Sequence, residues 1–263
     1  HLCGHSADMR RIYNLKKKFK FKIIEDSCHA LGGKYYNYKV GSCKYSDIST
    51  FSFHPVKPIT TGEGGMITTN NKKIYEKLLV LRSHGIIKTQ SKFKNKKNAF
   101  DKKIVNRWYY EMITLGYNYR LTDIQSALGL SQLKKLDQFT IKRNKIAARY
   151  NKGFKNNVNI VTPKVKDDTY HAYHLYTILI NFKKILITRN KFMTELLKHK
   201  IGSQVLYIPI YKQPYYYKKF RFNKHNFKNS ENYYNHALSI PMFPSLTIKE
   251  QKNIIYLINK LTK

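Results

Sequence analysis

The chain has 263 residues, 42% of them hydrophobic, and carries 50 Lys and Arg against 15 Asp and Glu, a formal charge of +35. That length holds one large domain or two modest ones with ample core, and the composition excludes collagenous, low-complexity and wholly disordered classes. No apolar run reaches membrane-spanning length, HLCGHSADMR lacks a signal-peptide pattern, and Cys3, Cys28 and Cys43 show no paired spacing, so a reducing cytoplasm is expected.

Ser6 is placed to cap a helix over 7–19, with Met9, Ile12, Tyr13 and Leu15 as its apolar stripe. FKIIED (21–26) reads as a short buried strand ending in two carboxylates, and YSDISTFSF (45–53) as another. GGMITTN (64–70) is a third strand entered through a Gly-rich turn, and KKIYEKLLVLRSHG (72–85) a helix stopped by Gly85. This alternation predicts an α/β layer structure with a mostly parallel sheet. SKFKNKKNAFDKK (91–103) lacks an apolar period and reads as a mobile basic loop. Thr122 and Gln125 form a capping-box pattern opening a helix, and helical character resuming through RNKIAARYNKGF makes a long connector.

Near residue 155 the style changes. YHLYTILI (173–180) is a strand, TRNKFMTELLKHKIG (188–202) a Thr-capped helix ending at Gly202, and GSQVLYIPI another strand. LTIKEQKNIIYLINKL (246–261) closes with a second capping box, Thr247 and Glu250. The expected division is 1–154, a larger unit with its connector helix, and 155–263, a smaller α+β unit.

The net charge permits a polyanion partner. However, Lys far outnumbers Arg, Tyr, Asn, Ile and Phe are abundant too, and basic residues are spread along the whole chain. Compositional drift explains that pattern better than a dedicated nucleic-acid face, which would concentrate Arg. Cys3, His5, Cys28 and His29 contain no tight ligand pair, so no metal is expected.

Asp26 stands at the C-terminal end of one predicted strand, where ligands of open α/β sheets gather, and Lys57 just beyond the next. Spacing alone reads as a salt bridge. The surroundings tip the balance: Pro55 and Pro58 restrict the backbone, while Phe51, Phe53 and Val56 offer an apolar surround that lowers a lysine pKa. A partly deprotonated amine is what carbonyl condensation requires.

IIEDSCHALGG, VGSCKYSDISTFSFHPVKPITTGEGGMITTN, LRSHG and GYNYRLTDIQSALGLSQLKKL, in that order, resemble successive signatures of the DegT/StrS family of pyridoxal-phosphate-dependent sugar aminotransferases, fold type I. FSFHPVKPITTGEGG with VLYIPIYKQPYY is most similar to the branch serving pseudaminic acid biosynthesis. The resemblance implies that Lys57 binds the cofactor aldehyde, Asp26 pairs with the pyridinium nitrogen, and Ser52 contacts the phosphate. His29 occupies a position that approaches the ring hydroxyl; a structural histidine in a tight turn is the other reading. Asn118 matches the asparagine that reaches the phosphate of a neighbouring subunit, so a homodimer with a shared active site is implied. Arg120 reads equally as a substrate-phosphate contact or as a partner of Asp123. Tyr207 falls where relatives read His-Tyr-x-Pro; here Leu206 departs from that pattern and weakens its substrate contact.

The implied reaction moves an amino group, from glutamate as in relatives, to a UDP-linked 4-keto-6-deoxy-N-acetylhexosamine. It would give UDP-4-amino-4,6-dideoxy-N-acetyl-beta-L-altrosamine. A dehydrating subset of the family has His where Lys57 stands, so the lysine argues against dehydration. Alternatives are another nucleotide-sugar aminotransferase and a non-catalytic anion-binding relative. The family also has a long N-terminal region that supplies a strand, a phosphate-cradling helix and a ring-stacking aromatic. None is present here, so the chain is expected to be a fragment with doubtful activity of its own.

Overall fold

The computed structural model describes residues 1–222 and 224–263. A three-stranded sheet sets the candidate site, with Ile48–Ser52 between Ile24–Asp26 and Gly65–Thr68. Along Ile48–Ser52 burial alternates: Ser49 and Phe51 face the core, the other residues are half-buried. Phe51 packs with Phe53, Ile59 and Leu136. Beneath Ile24–Asp26, Ile23 packs with Met9 of the helix Met9–Phe19 and with Tyr35.

The larger core lies in the C-terminal half. Tyr176–Ile180 is flanked by antiparallel Ile160–Val161 and Ala237–Ile240. Ala237–Ile240 is buried throughout and Tyr176–Ile180 nearly so, and their two polar residues, Thr177 and Ser239, satisfy each other with a hydroxyl contact of 2.8 Å. The helices Arg189–Lys198 and Ile248–Leu261 contribute Phe192, Leu196, Ile254 and Ile258 to this core. Ile146, Tyr150 and Phe154, from the second half of the helix Leu136–Phe154, complete it. Arg143 of that helix ties the parts together: its buried guanidinium donates to the carbonyls of Tyr173, His174 and Met242 at 3.0, 3.2 and 2.8 Å.

Both capping boxes form as the sequence predicts, Thr122 with Gln125 and Thr247 with Glu250. Several expectations need correction. The first helix spans Met9–Phe19 and is capped by Asp8, whose carboxylate accepts from Arg11 N, because the Ser6 hydroxyl bonds to Ala7 O instead. The α/β class holds, but among the described residues the one parallel pairing joins Ile24–Asp26 to Ile48–Ser52. Gly65–Thr68 runs antiparallel, because a loop without a crossover helix connects it to Ser52. The helix Lys72–Leu81 stops short of Gly85, and Arg189–Lys198 short of Gly202.

The stretch 91–103 is ordered rather than a mobile loop. It holds the helix Lys96–Ala99 and the strand Phe100–Asp101, which pairs as a hairpin with Ile104–Val105 just beyond it. Phe93 and Ala99 bury against Ile87, and the Glu111 carboxylate accepts from the backbone N–H groups of Lys94 and Asn95. GSQVLYIPI is not a strand; Gln204 makes a single bridge to Ser239 before the chain turns away.

Candidate active site

The register of the parallel pair decides what faces the site. Asp26 lies opposite Thr50 and Glu25 opposite Ser49. Partners in register share a face, so Glu25 and Ser49 turn inward while Asp26, Thr50 and Ser52 share the other side. Glu25 is spent on structure, accepting from Ser46 and pairing with His1 Nε2 at 2.6 Å. Asp26 is exposed, and its Oδ1 accepts from Cys28 N at 3.1 Å. Hydrogen bonding from Cys28, outweighing partial burial, holds its carboxyl below the usual aspartate value. Ser52 is half-buried and its Oγ accepts from His54 N at 3.3 Å, which leaves the hydroxyl proton available.

Lys57 closes a turn after this strand, its N–H donating to His54 O at 2.9 Å. Pro58 and Ile59 behind it are buried, and Lys57 itself is half-buried. Its ammonium makes no hydrogen bond or ion pair among the described residues, so the simple Asp26–Lys57 salt bridge is not formed. The predicted apolar surround is also corrected. Phe51 and Phe53 turn into the core and Val56 is 65% exposed, leaving the amine open on one side. Lys57 nevertheless acts electrostatically on its neighbours. Burial first, and then the Lys57 charge, hold His29 down to about 4.

His29 and Tyr207 meet directly, with His29 Nε2 3.3 Å from the Tyr207 hydroxyl and the rings stacked at 6.2 Å. Burial raises the Tyr207 phenol, with Cys3 and Asp26 adding to it. The structure therefore groups Asp26, His29, Lys57 and Tyr207, with Ser52 on the same sheet face. Asn118 and Arg120 are exposed on another loop, where Asn118 bridges Ser83 in antiparallel fashion. No hydrogen bond or ion pair among the described residues joins either side chain to the group, and Arg120 does not pair with Asp123.

Sequence reasoning missed two members of the site. The backbone N–H of Cys3 donates to His29 Nδ1 at 3.3 Å. The ring of His174, buried to 5% exposure, lies 4.6 Å from that of His29. Burial, then His29 and Lys57, press His174 down to about 3, and its Nδ1 has no partner among the described residues. Both lie far from His29 in the chain, so no local pattern announces them. Among the described residues no cluster of His, Cys, Asp and Glu could hold a metal ion, and no helix is long and apolar enough to cross a membrane.

Residues 1–259 match the family described as the DegT/DnrJ/EryC1/StrS aminotransferase family. The chain is 42% identical, over 95% of its length and 61% of the relative's, to a UDP-4-amino-4,6-dideoxy-N-acetyl-beta-L-altrosamine transaminase of Campylobacter jejuni. Among solved structures it resembles PseC of Helicobacter pylori, an aminotransferase involved in the biosynthesis of pseudoaminic acid. There the TM-score is 0.87 at 34% identity, covering 99% of this chain and 65% of that one. NtdA of Bacillus subtilis, solved with bound cofactor PMP, gives a TM-score of 0.78 at 27% identity, covering 100% and 55%. The chain spans 61% to 65% of the first curated relatives it matches.

Proposed function

Because this chain belongs to the DegT/DnrJ/EryC1/StrS aminotransferase family, we propose that it serves a nucleotide-sugar aminotransferase dependent on pyridoxal phosphate. The amino group passes from glutamate to a UDP-linked 4-keto-6-deoxy-N-acetylhexosamine, giving UDP-4-amino-4,6-dideoxy-N-acetyl-beta-L-altrosamine. Support for this substrate is the likeness to the Campylobacter jejuni transaminase.

One observation carries the reading. An unpaired, half-buried lysine follows the strand that runs parallel to the one ended by an ionised aspartate, and both act electrostatically on His29, on the edge where open α/β sheets bind ligands. The donor set fits the cofactor. Asp26 would pair with a ring N–H, Ser52 would donate to phosphate, and Lys57 would hold the aldehyde carbon, while both His29 nitrogens are already engaged, by Cys3 N and by the Tyr207 hydroxyl. When bound, pyridoxal phosphate supplies a carbonyl that condenses with amines and a ring that draws electrons.

Asp26, kept anionic by Cys28, would favour a proton on the ring nitrogen. With pyridoxal phosphate bound, Lys57 Nζ would move a proton at the sugar carbon as general base and then acid, a role worth about 10²–10⁴ in rate. Asn118 and Arg120, which make no hydrogen bond or ion pair with this group among the described residues, would serve a second copy's phosphate and substrate across a homodimer. Exposed Ile24, Met66, Ile67 and Ile124 supply apolar surface for such contacts. Residues 1–154 would belong to the cofactor-binding unit and 155–263 to the smaller one.

The test is covalent. After incubation with pyridoxal phosphate and reduction with borohydride, peptide mapping should find the label on Lys57. Incubation with the UDP-linked 4-keto sugar and glutamate should then yield the 4-amino sugar nucleotide. A Lys57→Ala variant that keeps its turnover would sink the proposal.

A further inference from the structure

His29 sits where separate stretches of chain meet. The turn Leu2–Gly4 lies between the loop after Ile24–Asp26 and the segment 171–175. Ala172 N donates to Gly4 O at 3.0 Å and Leu175 N to Cys3 O at 3.3 Å. Gly4 has φ +107, and a Cβ there would meet Tyr173 N at 2.8 Å and His29 O at 3.0 Å. Backbone thus wedges the turn from both sides. Cys3 is held at φ 59, a left-handed conformation that a non-glycine residue rarely adopts. In that conformation its N–H reaches His29 Nδ1.

A ring nitrogen that accepts a hydrogen bond carries no proton, so neutral His29 holds its proton on Nε2. Nε2 faces the Tyr207 hydroxyl, which must therefore accept. Tyr207 makes no other hydrogen bond among the described residues, and its own proton is left to donate.

We propose that the Cys3 N–H is a tautomer lock: it fixes His29 as an Nε2–H donor to Tyr207, so that Tyr207 presents its O–H to an oxygen of the sugar substrate. The lock itself needs only the geometry above; the onward donation rests on the aminotransferase reading. The charged and titratable groups facing His29 agree with a neutral ring. Lys57 opposes a proton, Asp26 favours one, and His174 lies uncharged against it at 4.6 Å. Cys3 and Tyr207 approach it as neutral thiol and phenol, each raised by burial.

The lock is read without cofactor, by long-range ¹⁵N–¹H NMR of the histidine side chains, with His29→Gln assigning the signal. The expected result is a pyridine-like Nδ1 and a pyrrole-like Nε2, with no titration above about pH 5. An Nδ1–H tautomer, or a midpoint near 6.5, overturns it. Tyr207→Phe should leave the tautomer unchanged; a switch would mean that Tyr207 sets it, and the lock would fall. Gly4→Ala should give mixed tautomers and raise the midpoint. If circular dichroism shows that variant unfolded, the unmodified chain and Tyr207→Phe still decide.

Onward donation is read by calorimetry with a UDP-linked 4-keto sugar, where Tyr207→Phe should weaken binding about tenfold. Equal affinity overturns that half. No binding by the unmodified chain overturns it together with the proposed substrate, and leaves the tautomer result standing.

Discussion

Gly85 and Gly62 form a matched pair for separating backbone conformation from backbone contact. Both have positive φ, +71 and +80. At Gly62 a Cβ would meet nothing within 4 Å, whereas at Gly85 it would meet Thr114 O at 1.7 Å and Gly116 N at 3.2 Å. Gly62→Ala should therefore cost only the left-handed penalty, about 1 kcal/mol. Gly85→Ala must in addition force the two strands of chain apart. Bonds from Ile113 N to Gly85 O at 2.9 Å, His84 N to Tyr117 O at 2.7 Å and Tyr117 N to Leu81 O at 2.7 Å would break. At about 1 kcal/mol each they add about 3, for a total near 4 kcal/mol. Urea denaturation followed by circular dichroism reads the difference: with an m-value of about 2 kcal/mol/M, Gly85→Ala should unfold roughly 1.5 M earlier than Gly62→Ala. Two variants within about 1 kcal/mol of each other would refute the reasoning.

Other outcomes can be stated in advance. Ser52→Ala should weaken pyridoxal phosphate binding about tenfold in an absorbance titration, through loss of a hydroxyl donor to an anion; unchanged affinity would remove Ser52 from the site. Asp47 accepts from Lys16 Nζ at 2.7 Å and Ile23 N at 2.8 Å. Burial pushes its carboxyl up, but these bonds outweigh it and leave it below the ordinary aspartate value. Its contribution is therefore complete above about pH 4 and is lost as pH falls through the folded-state value. Asp47→Asn should cost about 1–2 kcal/mol at pH 7, and the gap should close on acidification. Thr247→Ala removes the cap of Ile248–Leu261 and should cost about 1 kcal/mol in thermal denaturation; no change would mean that packing alone holds that helix end.

What the sequence made legible was local. A Thr followed three residues later by Gln or Glu bonds within its own turn, so both capping boxes could be read directly. The strand ends before Asp26 and Lys57 were legible because they are marked by their own flanking residues. Order in 91–103 was not, since it depends on Glu111 and on burial against Ile87, both outside the window. The antiparallel course of Gly65–Thr68 escaped for a similar reason: strand content does not encode direction, and the connection does. The surroundings of His29 were the least accessible. Its Nδ1 partner is a peptide N–H, a group every residue but proline possesses, so the Cys3 side chain gives no hint of it.

The helix Leu136–Phe154 has a practical consequence for anyone recombining this chain with a homologue. Leu136 belongs to the cluster under the lysine turn, and Ile146, Tyr150 and Phe154 to the C-terminal core. A crossover placed just after Phe154 would separate those rings from the partners they evolved beside. A chimera spliced before Leu136, taking the whole helix with the C-terminal half, would leave the contacts of Leu136 and of Thr140 against Gly32 to be rematched, and would keep the C-terminal packed face whole.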